Sequence, residues 1–173
     1  MQGIPLNERK RLGALLDDRP QTEVMAMIPQ FSQAETDNFV APPAQIPEAL
    51  GVLMFNMERG VNLPEIQEFL RDCPDIQPFD VILANELDDG CARSGNKNTA
   101  RELAQAFGLN YAWGLEFIEL VNDENAKGFH GNAVFSRWPI RRAGVIRLPE
   151  QYNWYFDRQK RIGGRLAVFA ELD

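Results

Sequence analysis

The sequence predicts an α/β domain in which a mixed β-sheet is flanked by helices, and three observations lead there. A run of four apolar residues, Val81-Ile82-Leu83-Ala84, is typical of a strand buried on both faces of a parallel or mixed sheet. An earlier apolar run over residues 50–55 stops at Asn56 and predicts another buried strand. Between them, residues 62–71 carry apolar side chains at helical spacing. Strand, helix and strand together predict a parallel pair with a right-handed crossover.

The first 48 residues are predicted to be an extension and not part of the core. Residues 6–18 form a weak amphipathic pattern, which predicts a short helix. Residues 19–48 are rich in proline, glutamine and other polar residues, which is typical of a linker. We therefore place the domain proper at residues 49–173.

The remaining elements follow in order along the chain. The pattern of residues 99–107, with capping-box spacing from Thr99 to Glu102 and Gly108 after the last apolar position, predicts a helix. β-Rich composition predicts four further strands, over residues 110–121, 130–137, 140–148 and 164–172.

The net charge of −7 is unevenly distributed. Residues 1–125 contain nine Lys and Arg against 21 Asp and Glu, whereas residues 126–173 contain nine against four. The basic end could approach a phosphate-bearing ligand, or its arginines could simply lie on solvated strand faces. An acidic chain is not typical of proteins that bind duplex nucleic acid without specificity.

The sequence predicts a soluble chain without an export signal. Residues 1–11 show no long apolar run after their basic residues, and no segment approaches the roughly 18 apolar residues that a membrane span needs. The two cysteines lack metal-ligand spacing and are expected to be reduced packing residues. We expect a cytoplasmic location.

Two predicted strands end in groups with oxygen ligands. Asn56 ends one, with Glu58 two residues later, and Glu86 ends the other. If the strands are adjacent and parallel, these groups meet at one edge of the sheet, where ligands bind in open α/β folds and where hard oxygen donors suit magnesium or manganese. The alternative is that Asn56 caps a turn and Glu86 is a solvated strand end.

Three blocks of sequence resemble the endonuclease/exonuclease/phosphatase superfamily. They are Phe55-Asn56-Met57-Glu58, Val81-Ile82-Leu83-Ala84-Asn85-Glu86-Leu87-Asp88 and His130-Gly131-Asn132-Ala133-Val134-Phe135-Ser136-Arg137-Trp138-Pro139-Ile140. Their order and spacing resemble the first three blocks of that superfamily, and the resemblance covers about residues 50–173.

The resemblance implies a site for a divalent metal ion, Mg²⁺ or Mn²⁺, at a phosphate ester. The catalytic roles would fall on Asn56 and Glu86, which would bind the metal together with Glu58. The resemblance also implies that Gly131 and Asn132 lie near the substrate phosphate.

Two further residues are candidates for contacts with that phosphate. His130 precedes Gly131, although a lone histidine beside a glycine is more often a hydrogen-bonded structural residue. Arg93 lies in the loop after Glu86, where a basic residue is usually just solvated.

The later blocks of the superfamily, Asp-x-Asn and Asp-His, have no counterpart in the sequence. We therefore expect a fragment that forms half of the four-layer α/β sandwich. Its inner sheet face would be partly uncovered and available to a partner or to self-association. The expected function is a metal-dependent phosphoesterase, of nuclease or phosphatase type, with weak or no activity. Its substrate would be a phosphate ester, nucleic acid included. The alternative is a pseudoenzyme that binds metal and phosphate without catalysis.

Overall fold

The computed structural model describes residues 1–150, 153–156 and 159–173. The helices are α1 (Leu6–Ala14), α2 (Gln21–Ala26), α3 (Leu63–Asp72) and α4 (Thr99–Phe107). The strands are β1 (Ala34–Asp37), β2 (Val52–Arg59), β3 (Val81–Asp89), β4 (Asn110–Glu119), β5 (Phe129–Ser136), β6 (Ile140–Arg147), β7 (Arg161–Gly163) and β8 (Leu166–Leu172). Short 3₁₀ helices span Leu15–Asp17, Pro29–Ser32, Pro74–Ile76 and Ala92–Ser94.

The main sheet has the strand order β1-β4-β5-β3-β2, with β7 paired to β4. The neighbours β2 and β3 run parallel, and the other pairs of this sheet are antiparallel. Helix α3 connects the parallel pair, because the two strands can only run in the same direction if the chain crosses back between them. The predicted mixed α/β sheet with flanking helices is confirmed.

One face of the sheet packs against α3 and α4. Both helices have one apolar side, and Leu70 and Leu103 are fully buried in the same core as Ile82 and Phe135 of the sheet. The predicted helix over residues 99–107 is confirmed, but its N-cap is Asn98, whose side chain accepts a hydrogen bond from the Arg101 N–H.

The N-terminal segment is part of this core, so the expectation that residues 19–48 lie outside it is wrong for their first half. Val24, Ile28 and Phe31 are buried in the core cluster, and β1 pairs with the edge of β4. The prolines and glutamines suggested a linker, yet the few apolar residues among them are spaced so that α2 and the following 3₁₀ turn bury them. From residue 41 to residue 50 most residues are exposed, as a linker predicts.

The opposite face of the sheet is covered over only part of its width. Strands β6 and β8 form a separate antiparallel pair, and Val145 and Val168 of that pair lie directly over Gly114 of β4. Over β2 and β3 the same face is open: Met54 is 71% exposed and Leu83 39% exposed. The predicted partly uncovered face is therefore present, at the end of the sheet away from the β6–β8 pair.

Among the described residues, no helix has the length and apolar character that crossing a membrane requires.

Candidate functional site

A cavity of about 300 Å³ lies where the covered and open parts of this face meet. Its floor comes from the main sheet and one wall from the segment around the β6–β8 pair. Eight of the described residues line it: Asn56, Asn85, Glu86, Glu116, Asn132, Leu148, Arg165 and Leu166. The cavity thus contains Asn56, Glu86 and Asn132, three of the residues that the sequence predicted to share a site.

Irregular strand pairing explains why so many polar side chains reach one cavity. In β3, Asn85 and Glu86 lie opposite the single residue Asn132 of β5, and in β4 the extra residue is Glu116. The β2–β3 register also shifts, directly after Asn56. A β-bulge redirects side chains that would otherwise alternate between faces. The bulges therefore turn neighbouring residues such as Asn85 and Glu86 towards the same cavity.

Glu86 adopts a left-handed backbone conformation, with φ of 59°. Such a conformation is costly for a residue with a side chain and is typical of functional sites, where the surrounding structure enforces it. Here Asn132 contributes to that enforcement, because its Oδ1 accepts a hydrogen bond from the Glu86 N–H at 3.1 Å. Asn132 therefore positions the Glu86 backbone, and the side chain of Glu86 lines the cavity.

Asn56 and Glu58 form a tight turn at the end of β2. The Glu58 N–H donates to Asn56 Oδ1 at 2.8 Å, and Glu58 has a positive φ of 46°. Asn56 thus both caps a turn, as one alternative predicted, and lines the cavity. Glu58 is exposed and is not among the described residues that line the cavity, so the structure does not bring its carboxylate together with Glu86 there.

Sequence reasoning did not identify Asn85, Glu116 or Arg165 as site residues. Glu116 is almost fully buried, and its Oε1 accepts a hydrogen bond from Arg165 Nη1 at 2.9 Å. A buried carboxylate within a strongly apolar strand was a usable sign in the sequence, since such a group needs a partner. No local pattern indicated Arg165, because it lies 49 positions further along the chain.

Gly131 serves a different purpose from the one that the resemblance implied. A Cβ atom at this position would lie 2.0 Å from the Gly114 carbonyl oxygen and 2.8 Å from Trp113. The glycine is therefore needed for the close approach of β5 to β4. Access of a phosphate does not explain it.

His130 and Arg93 belong to an ion-pair network centred on the buried Asp88. His130 Nδ1 lies 2.9 Å from Asp88 Oδ1, and Arg93 contacts both oxygens of the same carboxylate, with Nε 2.7 Å from Oδ2 and Nη2 2.8 Å from Oδ1. Arg93 also pairs with Glu119 at 3.1 Å. Neither residue is among the described residues that line the Glu86 cavity. For His130 the structure thus matches the alternative of a hydrogen-bonded structural residue, and Arg93 is ion-paired instead of simply solvated.

The electrostatics of Asp88 follow from this network. Its burial favours the protonated acid, but the hydrogen bonds from Arg93 and His130 outweigh that effect and hold the pKa of Asp88 below its ordinary value. The same carboxylate raises the pKa of Arg93 against the opposing effect of burial. Asp88 and Arg93 therefore form an ion pair whose two members are charged at neutral pH.

The oxygen donors of the cavity fit a hard divalent cation. Glu86 offers a carboxylate, and Asn56 and Asn85 offer amide oxygens. Among the described residues, no three His, Cys, Asp or Glu side chains are grouped as a metal site. Mg²⁺ does not require such a group, because it commonly keeps several waters and binds through one or two carboxylates.

The resemblance to a superfamily rests on sequence blocks alone. No protein-family model matches the chain, no curated protein is similar to it, and no solved structure matches its fold.

Proposed function

We propose that the protein is a metal-dependent phosphoesterase whose site is the cavity at Glu86. The observation that supports this most strongly is the convergence of Asn56, Glu86 and Asn132 on one cavity, since these residues come from three separate sequence blocks. The bulged strands and the left-handed backbone at Glu86 add support, because such features are concentrated at functional sites.

Glu86 and Asn56 are the residues that would hold Mg²⁺ or Mn²⁺. When bound, the metal supplies a positive charge that polarises a phosphoryl oxygen and stabilises the charge developing on the leaving group. Asn132 keeps Glu86 in place through the Glu86 N–H. Leu148 and Leu166 supply the apolar part of the cavity lining.

General acid–base help from a histidine is missing from this arrangement. His130 is the only histidine of the sequence, and its Nδ1 is engaged with the buried Asp88. General acid–base catalysis contributes about 10²–10⁴-fold to rates, so turnover should be slow.

The proposal is tested by Mg²⁺ binding and by hydrolysis of bis(p-nitrophenyl) phosphate. We expect Glu86→Gln to weaken Mg²⁺ binding at least about 10-fold and to remove the Mg²⁺-dependent turnover, since it neutralises the only proposed carboxylate ligand. Glu68→Gln is the matched control, because Glu68 is an exposed carboxylate on α3. Turnover or Mg²⁺ affinity that survives Glu86→Gln would contradict the assignment.

A non-catalytic module that binds metal and phosphate is the second candidate. The engagement of His130 with Asp88 favours it, because the cavity lacks an imidazole. Calorimetric titration with Mg²⁺ and a nucleotide separates the two candidates. Glu86-dependent binding without any product supports the module, and product formation excludes it.

A further inference from the structure

Arg165 is the one cationic side chain among the described residues that line the Glu86 cavity. It precedes β8 by one residue, and its side chain is about half exposed (51%). A guanidinium carries five N–H donors in a planar fork that matches the oxygens of a phosphate group. Its only hydrogen bond found within the described parts of the chain, to Glu116 Oε1, uses one of these donors.

The position of Arg165 is fixed before any ligand arrives. Its guanidinium carbon lies 4.9 Å from the ring centroid of Trp154 and 5.7 Å from that of Phe117, and its Nη1 is bonded to the buried Glu116. The aromatic rings and the ion pair already restrict the rotamers of Arg165 in the free protein. Less rotamer entropy is therefore lost when a ligand binds.

The carboxylate of Glu116 also lies close to His130, on the side of the buried Asp88. Its Oε2 lies 3.9 Å from Nε2 of His130, whose Nδ1 is bonded to Asp88. Oppositely charged or polar partners therefore follow one another from Asp88 in the core to Arg165 at the cavity. This arrangement indicates a positioning role for Glu116. Its side chain is too buried to contact a ligand directly, but it orients Arg165, which is accessible.

We propose that Arg165 is the residue that binds the phosphate group of the ligand in this cavity, and that Glu116 positions it. The proposal rests on the assignment of the cavity as a phosphoesterase site. Glu86 repels a phosphate anion unless a cation neutralises it, so Arg165 and a metal at Glu86 would act from two sides of the same phosphate. Phosphate affinity should therefore rise when Mg²⁺ is present.

The test is titration of the full chain with inorganic phosphate and, separately, with dimethyl phosphate, each in the presence of Mg²⁺. Arg165→Met should weaken binding of the preferred probe about 10- to 100-fold, because it removes charge-assisted hydrogen bonds. Arg165→Lys keeps the positive charge but not the planar arrangement of N–H donors. Its phosphate affinity should therefore fall less than that of Arg165→Met. The probe that binds more tightly identifies a monoester or a diester as the natural ligand class.

Arg142→Met is the matched control. Arg142 lies on β6, is largely exposed and is paired with Glu171, so the change removes the same kind of ion pair outside the cavity. Phosphate affinity should stay within about twofold of the unchanged protein, as for other surface substitutions. Thermal melts of each variant establish that it is folded.

The positioning role of Glu116 has its own readout. Glu116→Gln keeps an oxygen that can accept from Arg165 but removes the charge, and should weaken phosphate binding by a larger factor than it changes the Mg²⁺ affinity at Glu86. A merely structural role would lower both affinities together or neither.

The outcomes separate this inference from the proposed function. Equal phosphate affinity in Arg165→Met and the unchanged protein overturns the inference, as does the absence of any phosphate binding. If Mg²⁺ binding does not depend on Glu86 but phosphate binding still depends on Arg165, the inference holds and the phosphoesterase assignment fails.

Discussion

Strand β3 carries two polar clusters that differ in how their hydrogen bonds are used. Asp88 is fully buried, and both of its carboxylate oxygens are bonded to Arg93 or His130. Glu86, two residues earlier, is partly exposed and lines a cavity. Its backbone N–H donates a hydrogen bond to Asn132. Groups that satisfy one another stabilise a fold, whereas groups that are held in place but face an open space can bind a ligand. The comparison therefore indicates a stabilising role for Asp88 and agrees with the ligand-binding role proposed for Glu86.

The largest effect expected from this comparison is that of Asp88→Asn. The change takes a charged acceptor away from His130 and from Arg93, which keeps its ion pair with Glu119, and losing charge-assisted hydrogen bonds at a fully buried carboxylate typically costs about 1.5–3 kcal/mol of the free energy of unfolding. Urea denaturation measures this loss. Because Asp88 does not line the cavity, Mg²⁺ affinity of the folded variant should change little.

Asp123→Asn provides the matched comparison for that variant. Asp123 pairs with Lys10 on the surface, where both side chains are more than half exposed. Exposed pairs contribute about 0–1 kcal/mol, so the free energy of unfolding should barely move. If Asp88→Asn and Asp123→Asn lowered the free energy of unfolding by the same amount, the structural role of Asp88 would be contradicted.

A smaller effect is expected from acidification. The pKa of Asp88 is lower in the folded protein than its ordinary value of 3.8. A carboxyl of this kind stabilises the fold fully above the unfolded pKa, and the contribution is lost as the pH falls through the folded pKa. The free energy of unfolding should therefore drop below about pH 4, and less steeply in Asp88→Asn than in the unchanged protein. Parallel pH profiles for the two proteins, measured by urea denaturation between pH 7 and pH 2.5, would show that Asp88 is not responsible.

The smallest effect, and the one of opposite sign, is expected at Glu86. Glu86→Gly relieves the cost of a positive φ, about 1 kcal/mol, so the variant should unfold at slightly higher urea concentration. The same change removes the proposed metal ligand, so Mg²⁺ affinity should fall. Gain of stability with loss of binding is typical of residues kept for function. A destabilised variant would mean that the Glu86 side chain stabilises the fold.

Most of the secondary structure could be predicted from the sequence, because it depends on local periodicity. The apolar runs before Asn56 and Glu86 form adjacent parallel strands, and the predicted helix after residue 98 is present and ends before Gly108, with Asn98 as its N-cap instead of Thr99. The first half of the predicted linker could not be recognised as core. Its few apolar residues gain their burial only from α2 and β1 packing onto distant parts of the chain.

The candidate site was predictable only in part. Asn56 and Glu86 could be grouped because both were predicted to end adjacent parallel strands, and Asn132 through the resemblance. The prediction that strands end at these residues is wrong, because β2 continues to Arg59 and β3 to Asp89, and irregular strand pairing brings the three residues to one cavity. A structural, hydrogen-bonded role for His130 was one of the alternatives predicted, but its partner Asp88 and the participation of Arg93 could not be predicted, since these contacts depend on how the loop after β3 folds against β5.

The sequence by itself determined most of the strands and helices after residue 50, because these depend on the order of residues over short distances. Only the tertiary structure decided which polar groups share a cavity. Bulges in β3 and β4 override the alternation of side chains, and the segment before β8 brings Arg165 to Glu116 across 49 positions. Those contacts depend on strand register and on packing between sheets, and neither is encoded in local periodicity.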